Sequence, residues 1–425
     1  MIYNQLQRLI MYAYNNVSYY KETFDRYKIK PQDINSFDEL ERLPVLTKEQ
    51  IQSSPDSFLS KEYSYFPKNK ELSIRRTSGS TGKYMKIYWD NKDDIRSMLN
   101  LWMIRNKDYG VEPKSKFCSL YTTMYNFNKL VENNTSHIFY GGRNLALSKI
   151  GINEHSIKNY YSEVFKFNPE WFFIQPSIAY LLAEYISNNN LEIPKSLKYI
   201  ELTGEYLFES VRKKIESTFN VQVSNQYGCN ETNGIAIECN HRNLHCLTGN
   251  VFVEILKDGY RVEDGEEGEI YLTCLTNYAM PFIRYAIGDR GALIKNHSCP
   301  CGKKTPVLKL SSGRVSEYIS TEGGGKVNCY VFLYTIEQIN ESMGNPIIQF
   351  KIVQNAVNNF KVYLVINESF AGWKDNICKF FCDNIREESL KDSSWEFEFV
   401  ESIYPDSITG KTRFFENKTI LATEL

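Results

Sequence analysis

Apolar and polar positions change their spacing three times along the chain. In the first fifty residues they are spaced for helices around a turn. "MIYNQLQRLIMYAYNN" is amphipathic, and the following stretch offers an N-cap at Asp33 or Ser36 and a stop at Pro44. "LSIRRTSGSTGKYMKIYWD" then reads as strand, Gly/Ser/Thr loop and strand, with Met85, Ile87 and Trp89 alternating with Lys86 and Tyr88. Helical and strand-like segments alternate from "DIRSMLNLWMIRN" to "LFESVRKKIESTF", which predicts an α/β core with mostly parallel strands and crossover helices. From about Asn250 the segments shorten to "VFVEIL", "GEIYLTCL" and "RGALI", predicting an added antiparallel sheet or barrel. Beyond "SSGRVSEYIS" a helix, a hairpin ("IIQFKIVQ" and "NFKVYLVINES"), an amphipathic helix and the strand "WEFEFVES" form a small α+β unit of roughly 110 residues. The expected organisation is a large domain over 1–314 and a small one over 315–425, with the linker near Gly313–Ser316.

Composition narrows the function classes. The 425 residues carry a formal net charge of −1, so no long-range field favours nucleic acid or an anionic membrane. No apolar run approaches a membrane span and no secretory apolar region opens the chain, so a cytoplasmic protein is expected. Its ten cysteines are then free thiols or metal ligands, not a disulfide framework.

Four stretches carry chemistry. In "RRTSGSTGKYMKIYWD", Thr77, Ser78, Ser80 and Thr81 offer hydroxyl and backbone donors, and Gly79 and Gly82 let phosphate oxygens approach. Gly79 and Gly82 are too close together, and Tyr84 follows Lys83, so this is not a Walker loop; taken alone, a solvated turn competes evenly with phosphate binding. "PDSITGKT" fails the same test at Pro405. "NQYGCNETNG" sets Tyr227 as an aromatic wall and Glu231 as a metal-contacting carboxylate, against the plainer reading of an exposed acid in an Asn/Gly loop. "PFIRYAIGDRG" sets Asp289 after a glycine turn at a strand end, where it could accept hydrogen bonds from both hydroxyls of a ribose; an ordinary turn aspartate is the alternative. Finally, Cys239, His245, Cys299 and Cys301 could supply four tetrahedral ligands to a structural zinc, with His241, Cys246 and His297 as rivals and unpaired thiols as the alternative.

The order of these pieces, a Ser/Thr/Gly loop, "YGCNE", "YAIGD", "GRVSE" and a terminal "TGK", resembles the adenylate-forming superfamily of acyl-CoA synthetases and adenylation domains. "FNPEWFFIQPSIAYLLAEYI" and "CPCGKKTPVLKLSSGR" resemble its phenylacetate–CoA ligase and CapK-like branch. The resemblance implies that Thr77 to Lys83 hold the β- and γ-phosphates of ATP, that Gly204, Glu205 and Tyr206 line the adenine pocket with Tyr227, and that Gly228 and Asn230 also belong to the ATP site. It further implies that Glu231 binds Mg²⁺, that Asp289 takes the ribose diol with help from Arg314, and that Lys411 is a mobile catalytic lysine. The small domain would turn about Ser316 between half-reactions, and the zinc pattern falls on Cys239, His245, Cys299 and Cys301. Asn230 stands where the superfamily usually has threonine, and Tyr121 and Tyr125 are candidates for the acid pocket.

The implied reaction is activation of a small, preferentially aromatic carboxylic acid by ATP, with transfer to the thiol of coenzyme A. A carrier-protein phosphopantetheine, an amine or a sugar is the alternative acceptor. A non-catalytic, zinc-stapled nucleotide-binding or assembly protein is the alternative of another class; Lys411, Glu231 and Asp289 together argue against it.

Overall fold

The computed structural model describes residues 2–64, 72–77, 85–121, 138–148, 152, 154–314, 318–385, 387–404 and 413–419. Two compact units emerge, residues 1–112 with 224–311 and residues 113–223 with 312–425.

In the first unit, helices Ile2–Asn16 and Ser18–Arg26 bury Leu6, Leu9, Ile10 and Ala13 with Val17 and Phe24, the face their spacing predicts. The segment before Pro44 is wound more tightly than expected: Pro31–Asp33 and Asp38–Arg42 are 3₁₀ turns, and the second follows Phe37, not Ser36, although Ser36 Oγ accepts from Glu39 N at 3.2 Å. Strands Leu72–Thr77 and Met85–Asp90 pair antiparallel with Thr77 opposite Met85. Met85, Ile87 and Trp89 point into a core shared with Leu46, Phe58, Phe282 and Tyr285. Asp90 caps helix Asn91–Tyr109 by accepting from Lys92 N at 2.8 Å, and Gly110 ends it with φ 67°. Strands of this unit follow the order Tyr260–Arg261, Val251–Lys257, Glu267–Cys274, Tyr285–Ile294, Val307–Arg314, Leu244–Cys246, Asn233–Glu238 and Gln222–Cys229. The expected antiparallel sheet is therefore present.

In the second unit, strands Tyr199–Thr203, Trp171–Ile174, Phe117–Tyr121 and Asn144–Ser148 run parallel, with Ile138–Gly141 antiparallel at the edge. Helices Glu154–Phe167, Pro176–Asn188 and Glu209–Phe219 provide the crossovers and close a core of Ile157, Ile178, Leu182, Ile200 and Ile215. The C-terminal part forms the sheet Ser394–Phe399, Asn359–Ile366, Ile347–Ala356 and Phe415–Asn417, with Ile352 opposite Val362 in the expected hairpin. Helices Tyr330–Met343 and Lys374–Asn384 cover its core. Phe208 packs against this core and against that of the parallel sheet, and meets Phe350 edge-on at 5.6 Å between centroids. The architecture is mixed α/β with an antiparallel sheet and a small α+β part, as expected.

Candidate functional site

Four motif residues of the first unit, Tyr227, Gly228, Asn230 and Glu231, are fixed by a tight chain reversal. Strand Gln222–Cys229 carries Tyr227 and Gly228, and its partner begins at Asn233, whose φ of 62° turns the chain back. A Cβ on Gly228 would lie 2.7 Å from Asn233 O, so a side chain here would force the backbone of the turn to shift. Asn230 and Glu231 occupy the turn. Trp89 Nε1 donates to Asn230 O at 2.9 Å, and Tyr285 Oη donates to Glu231 Oε1 at 3.1 Å. Glu231 is 6% exposed, so its carboxylate is sheltered and oriented by a neutral donor.

Asp289 does not close a strand as the sequence suggested. It lies inside strand Tyr285–Ile294, directly after Gly288, whose φ of +83° accommodates the irregular register against Glu267–Cys274. Tyr227 Oη donates to Asp289 Oδ2 at 2.7 Å, joining two motifs 62 residues apart. The aromatic and the acid thus form one hydrogen-bonded pair, which the spacing of the motifs did not reveal.

In the second unit, Gly204 adopts φ +83°, and a Cβ there would rest 3.7 Å from Gln175 Cγ. Glu205 accepts from Ser177 N and Ser177 Oγ, both at 3.0 Å, on the first turn of helix Pro176–Asn188, where a carboxylate complements the helix dipole. Tyr206 Oη donates to Glu337 Oε1 at 2.9 Å. Burial pushes the Tyr206 phenol up, and Glu337 beside it adds to the effect. Burial likewise raises Glu337, against the opposing hydrogen bond from Tyr206.

The sulfur cluster assembles in the first unit. One ligand atom from each of Cys239, His245, Cys299 and Cys301 lies within 4.8 Å of the others. Cys239 Sγ and Cys299 Sγ are 3.7 Å apart, and Cys301 Sγ is 3.3 Å from His245 Nε2. A tetrahedral zinc with Zn–S of about 2.3 Å separates its sulfurs by roughly 3.8 Å, so the first spacing suits that ion. His245 Nδ1 lies 3.2 Å from Thr305 O, which directs Nε2 to the sulfurs, the arrangement usual for a metal-bound histidine. Burial lowers the His245 pKa and so favours the neutral imidazole a metal requires. Of the rivals, His297 turns Nε2 to Thr305 O at 2.8 Å, Cys246 packs in the apolar core, and His241 sits on an exposed turn.

Thr77 and Arg314 end strands Leu72–Thr77 and Val307–Arg314, and Tyr121 ends Phe117–Tyr121. Ser78, Gly79, Ser80, Thr81, Gly82, Lys83, Tyr125, Ser316 and Lys411 lie outside the described residues. Sequence reasoning passed over Trp89, Tyr285, Ser177 and Glu337 as supports. Tyr285 stood inside a quoted motif, yet nothing in its neighbours marks Glu231 as its partner.

Residues 319–418 match the CapK C-terminal domain family. Protein CapK of Staphylococcus aureus is 26% identical over 411 residues, which is 96% of this chain and 86% of that protein. A phenylacetate–coenzyme A ligase of Escherichia coli is 26% identical over 307 residues, covering 68% of this chain and 66% of the ligase. Among solved structures, 2-hydroxyisobutyryl-CoA ligase in the postadenylation state with 2-HIB-AMP aligns over 100% of this chain and 90% of its own, with a TM-score of 0.73 at 17% identity. The chain shares the fold of that CoA ligase. CapK and the phenylacetate–coenzyme A ligases are homologues of the chain. No helix among the described residues is long and apolar enough to cross a membrane.

Proposed function

We propose that this protein is an AMP-forming ligase that activates a small carboxylic acid. The acid's carboxylate attacks the α-phosphorus of ATP, the bond to the β-phosphate oxygen breaks, and acyl-adenylate and pyrophosphate form. A thiolate then attacks the acyl carbon and releases AMP. The observation that carries this reading is the pairing of Tyr227 with Asp289 and of Tyr285 with Glu231 in a fold shared with CoA ligases. Two oriented carboxylates suit a ribose diol and a Mg²⁺ ion, which an anionic nucleophile and a polyphosphate both require.

In this reading Thr77, Ser78, Gly79, Ser80, Thr81, Gly82 and Lys83 bind the outer phosphates. Gly204, Glu205 and Tyr206 contribute to adenine binding, and Asn230 lies by the α-phosphate. Arg314 assists Asp289. Residues 1–314 act as the adenylation domain, and 315–425 as a mobile domain that turns about Ser316 and delivers Lys411. Tyr121 and Tyr125 border the acid. Cys239, His245, Cys299 and Cys301 hold a structural Zn²⁺; four protein ligands leave no open position for catalysis.

Coenzyme A is the proposed acceptor. The CapK similarity extends over 96% of the chain against 68% for the E. coli ligase, and a second reading keeps the first half-reaction and gives the acyl group to a carrier-protein thiol, an amine or a sugar. Acid-dependent exchange of labelled pyrophosphate into ATP tests the reaction: a panel of aromatic and small aliphatic acids should include at least one that supports exchange. No exchange with any acid in folded, zinc-loaded protein sinks the enzyme reading. Exchange without thioester on adding coenzyme A selects the second acceptor class. Lys411→Ala should abolish exchange while sparing thioester formation from added acyl-adenylate.

A further inference from the structure

Arg75 has no part in the roles above, although it stands two residues before Thr77. Its guanidinium lies at the centre of a closed polar network within the first unit. Nη2 donates to both oxygens of Asp94, at 2.7 and 2.6 Å, in a two-pronged ion pair with helix Asn91–Tyr109. Nη1 donates to Asn233 Oδ1. Asn233 in turn donates through Nδ2 to Asp94 Oδ1 at 3.0 Å and to Ser97 Oγ at 2.6 Å. The guanidinium carbon also sits 5.6 Å from the ring centre of Trp89, on the partner strand, while Trp89 Nε1 holds Asn230 O.

The geometry of this network has a direction. Leu72–Thr77 and Met85–Asp90 are the two strands that carry the phosphate-loop sequence between their ends. Asn230 and Asn233 bracket Glu231 on the other side. Arg75 and Trp89 therefore bolt the strand pair to the Glu231 turn at two points, one through each strand. A lysine would supply a compact, freely turning point charge, whereas the planar fork holds Asp94 on Nη2 and Asn233 on Nη1 at a fixed spacing. Asn233 needs both ends of its amide, because its oxygen serves Arg75 and its nitrogen serves Asp94 and Ser97.

We propose that Arg75, with Asp94 and Asn233, is a positioning residue that holds the turn carrying the metal-binding Glu231 against strands Leu72–Thr77 and Met85–Asp90. The inference rests on the ligase reading given above. It requires that the network matter for ATP·Mg²⁺, whose metal would meet Glu231, and little for AMP, which binds without that metal.

Calorimetric titration of the full chain with ATP·Mg²⁺ and, separately, with AMP tests this. Arg75→Lys, Arg75→Ala and Asn233→Ala are compared with the wild type, each checked for folding by circular dichroism and thermal melting. Each variant should weaken ATP·Mg²⁺ at least tenfold and leave AMP within about twofold. The Arg75→Ala/Asn233→Ala double variant should lose little more than either single one, since one network is broken each time. Parallel weakening of both nucleotides, or unchanged affinity for both in folded variants, overturns the proposal alone. Absence of nucleotide binding by the wild type overturns it together with the ligase reading.

Discussion

Replacing Tyr285 by phenylalanine removes one oxygen and leaves the rest of its surroundings in place. The ring stays in the core beside Phe282, 5.3 Å away edge-on, and the backbone bridge to Leu46 is untouched. What is lost is the donor to Glu231 Oε1 at 3.1 Å. A hydrogen bond to a charged group contributes about 1.5–3 kcal/mol, and part of that orients the carboxylate, not only the fold. Glu231 is 6% exposed, so bulk water replaces the missing donor poorly. If Glu231 holds Mg²⁺, the loosened carboxylate should raise the half-saturating Mg²⁺ concentration in pyrophosphate exchange by roughly tenfold, the equivalent of about 1.4 kcal/mol. Excess Mg²⁺ should restore most of the rate. The assay is exchange rate against free Mg²⁺ at saturating acid, with melting temperature followed in parallel. An unchanged Mg²⁺ dependence, with or without a lower melting temperature, would refute the assignment of Glu231 as the metal carboxylate oriented by Tyr285.

Three further outcomes follow from the geometry. Purified protein should contain close to one zinc per chain, and Cys301→Ser should lose most of it and melt at lower temperature; full zinc content in that variant rejects the four-ligand cluster. Gly228→Ala should cost about 1–3 kcal/mol, because the new Cβ meets a backbone oxygen, Asn233 O, at 2.7 Å; an unchanged melting temperature shows that the turn can yield. Burial raises the Glu337 carboxyl, so the stability from its protonated form is present below the unfolded-state value of about 4.3 and is lost as pH rises through the higher folded value. Glu337→Gln keeps an oxygen for the Tyr206 hydroxyl and carries no charge; it should raise the melting temperature at pH 7 and converge with the wild type near pH 4, and equal melting at both pH values contradicts the shift.

Elements were legible where one physical rule governed them. Met85, Ile87 and Trp89 alternate because a strand has two faces, and all three are buried. The hairpin Ile347–Ala356 and Asn359–Ile366 was readable for the same reason. The zinc ligands were legible because few side chains bind that ion, and only Cys239, His245, Cys299 and Cys301 converge among the described residues. At Asp289 the structure differs from the sequence expectation: Gly288 lies within strand Tyr285–Ile294 and not at a turn that ends it. A glycine with positive φ serves a bulge equally well, and only the pairing partner decides between the two.

Least legible was the order among the motifs themselves. Tyr227 and Asp289 each looked like an independent nucleotide contact, yet they bind one another at 2.7 Å. Tyr285, Trp89 and Arg75 were seen as strand or loop residues, because hydrophobic period and turn chemistry report the backbone and say nothing of which side chain meets which across 50 to 160 residues. That information enters only with sheet register: strand Gln222–Cys229 sets Tyr227, and strand Tyr285–Ile294 brings both Tyr285 to Glu231 and Asp289 to Tyr227. One strand thus carries the donor for the first acid and, four residues later, the second acid. Displacing that strand by a single residue would invert its faces and separate both pairs at once. The irregular register at Glu269 and Tyr271 therefore belongs to the candidate site as much as the motif residues do.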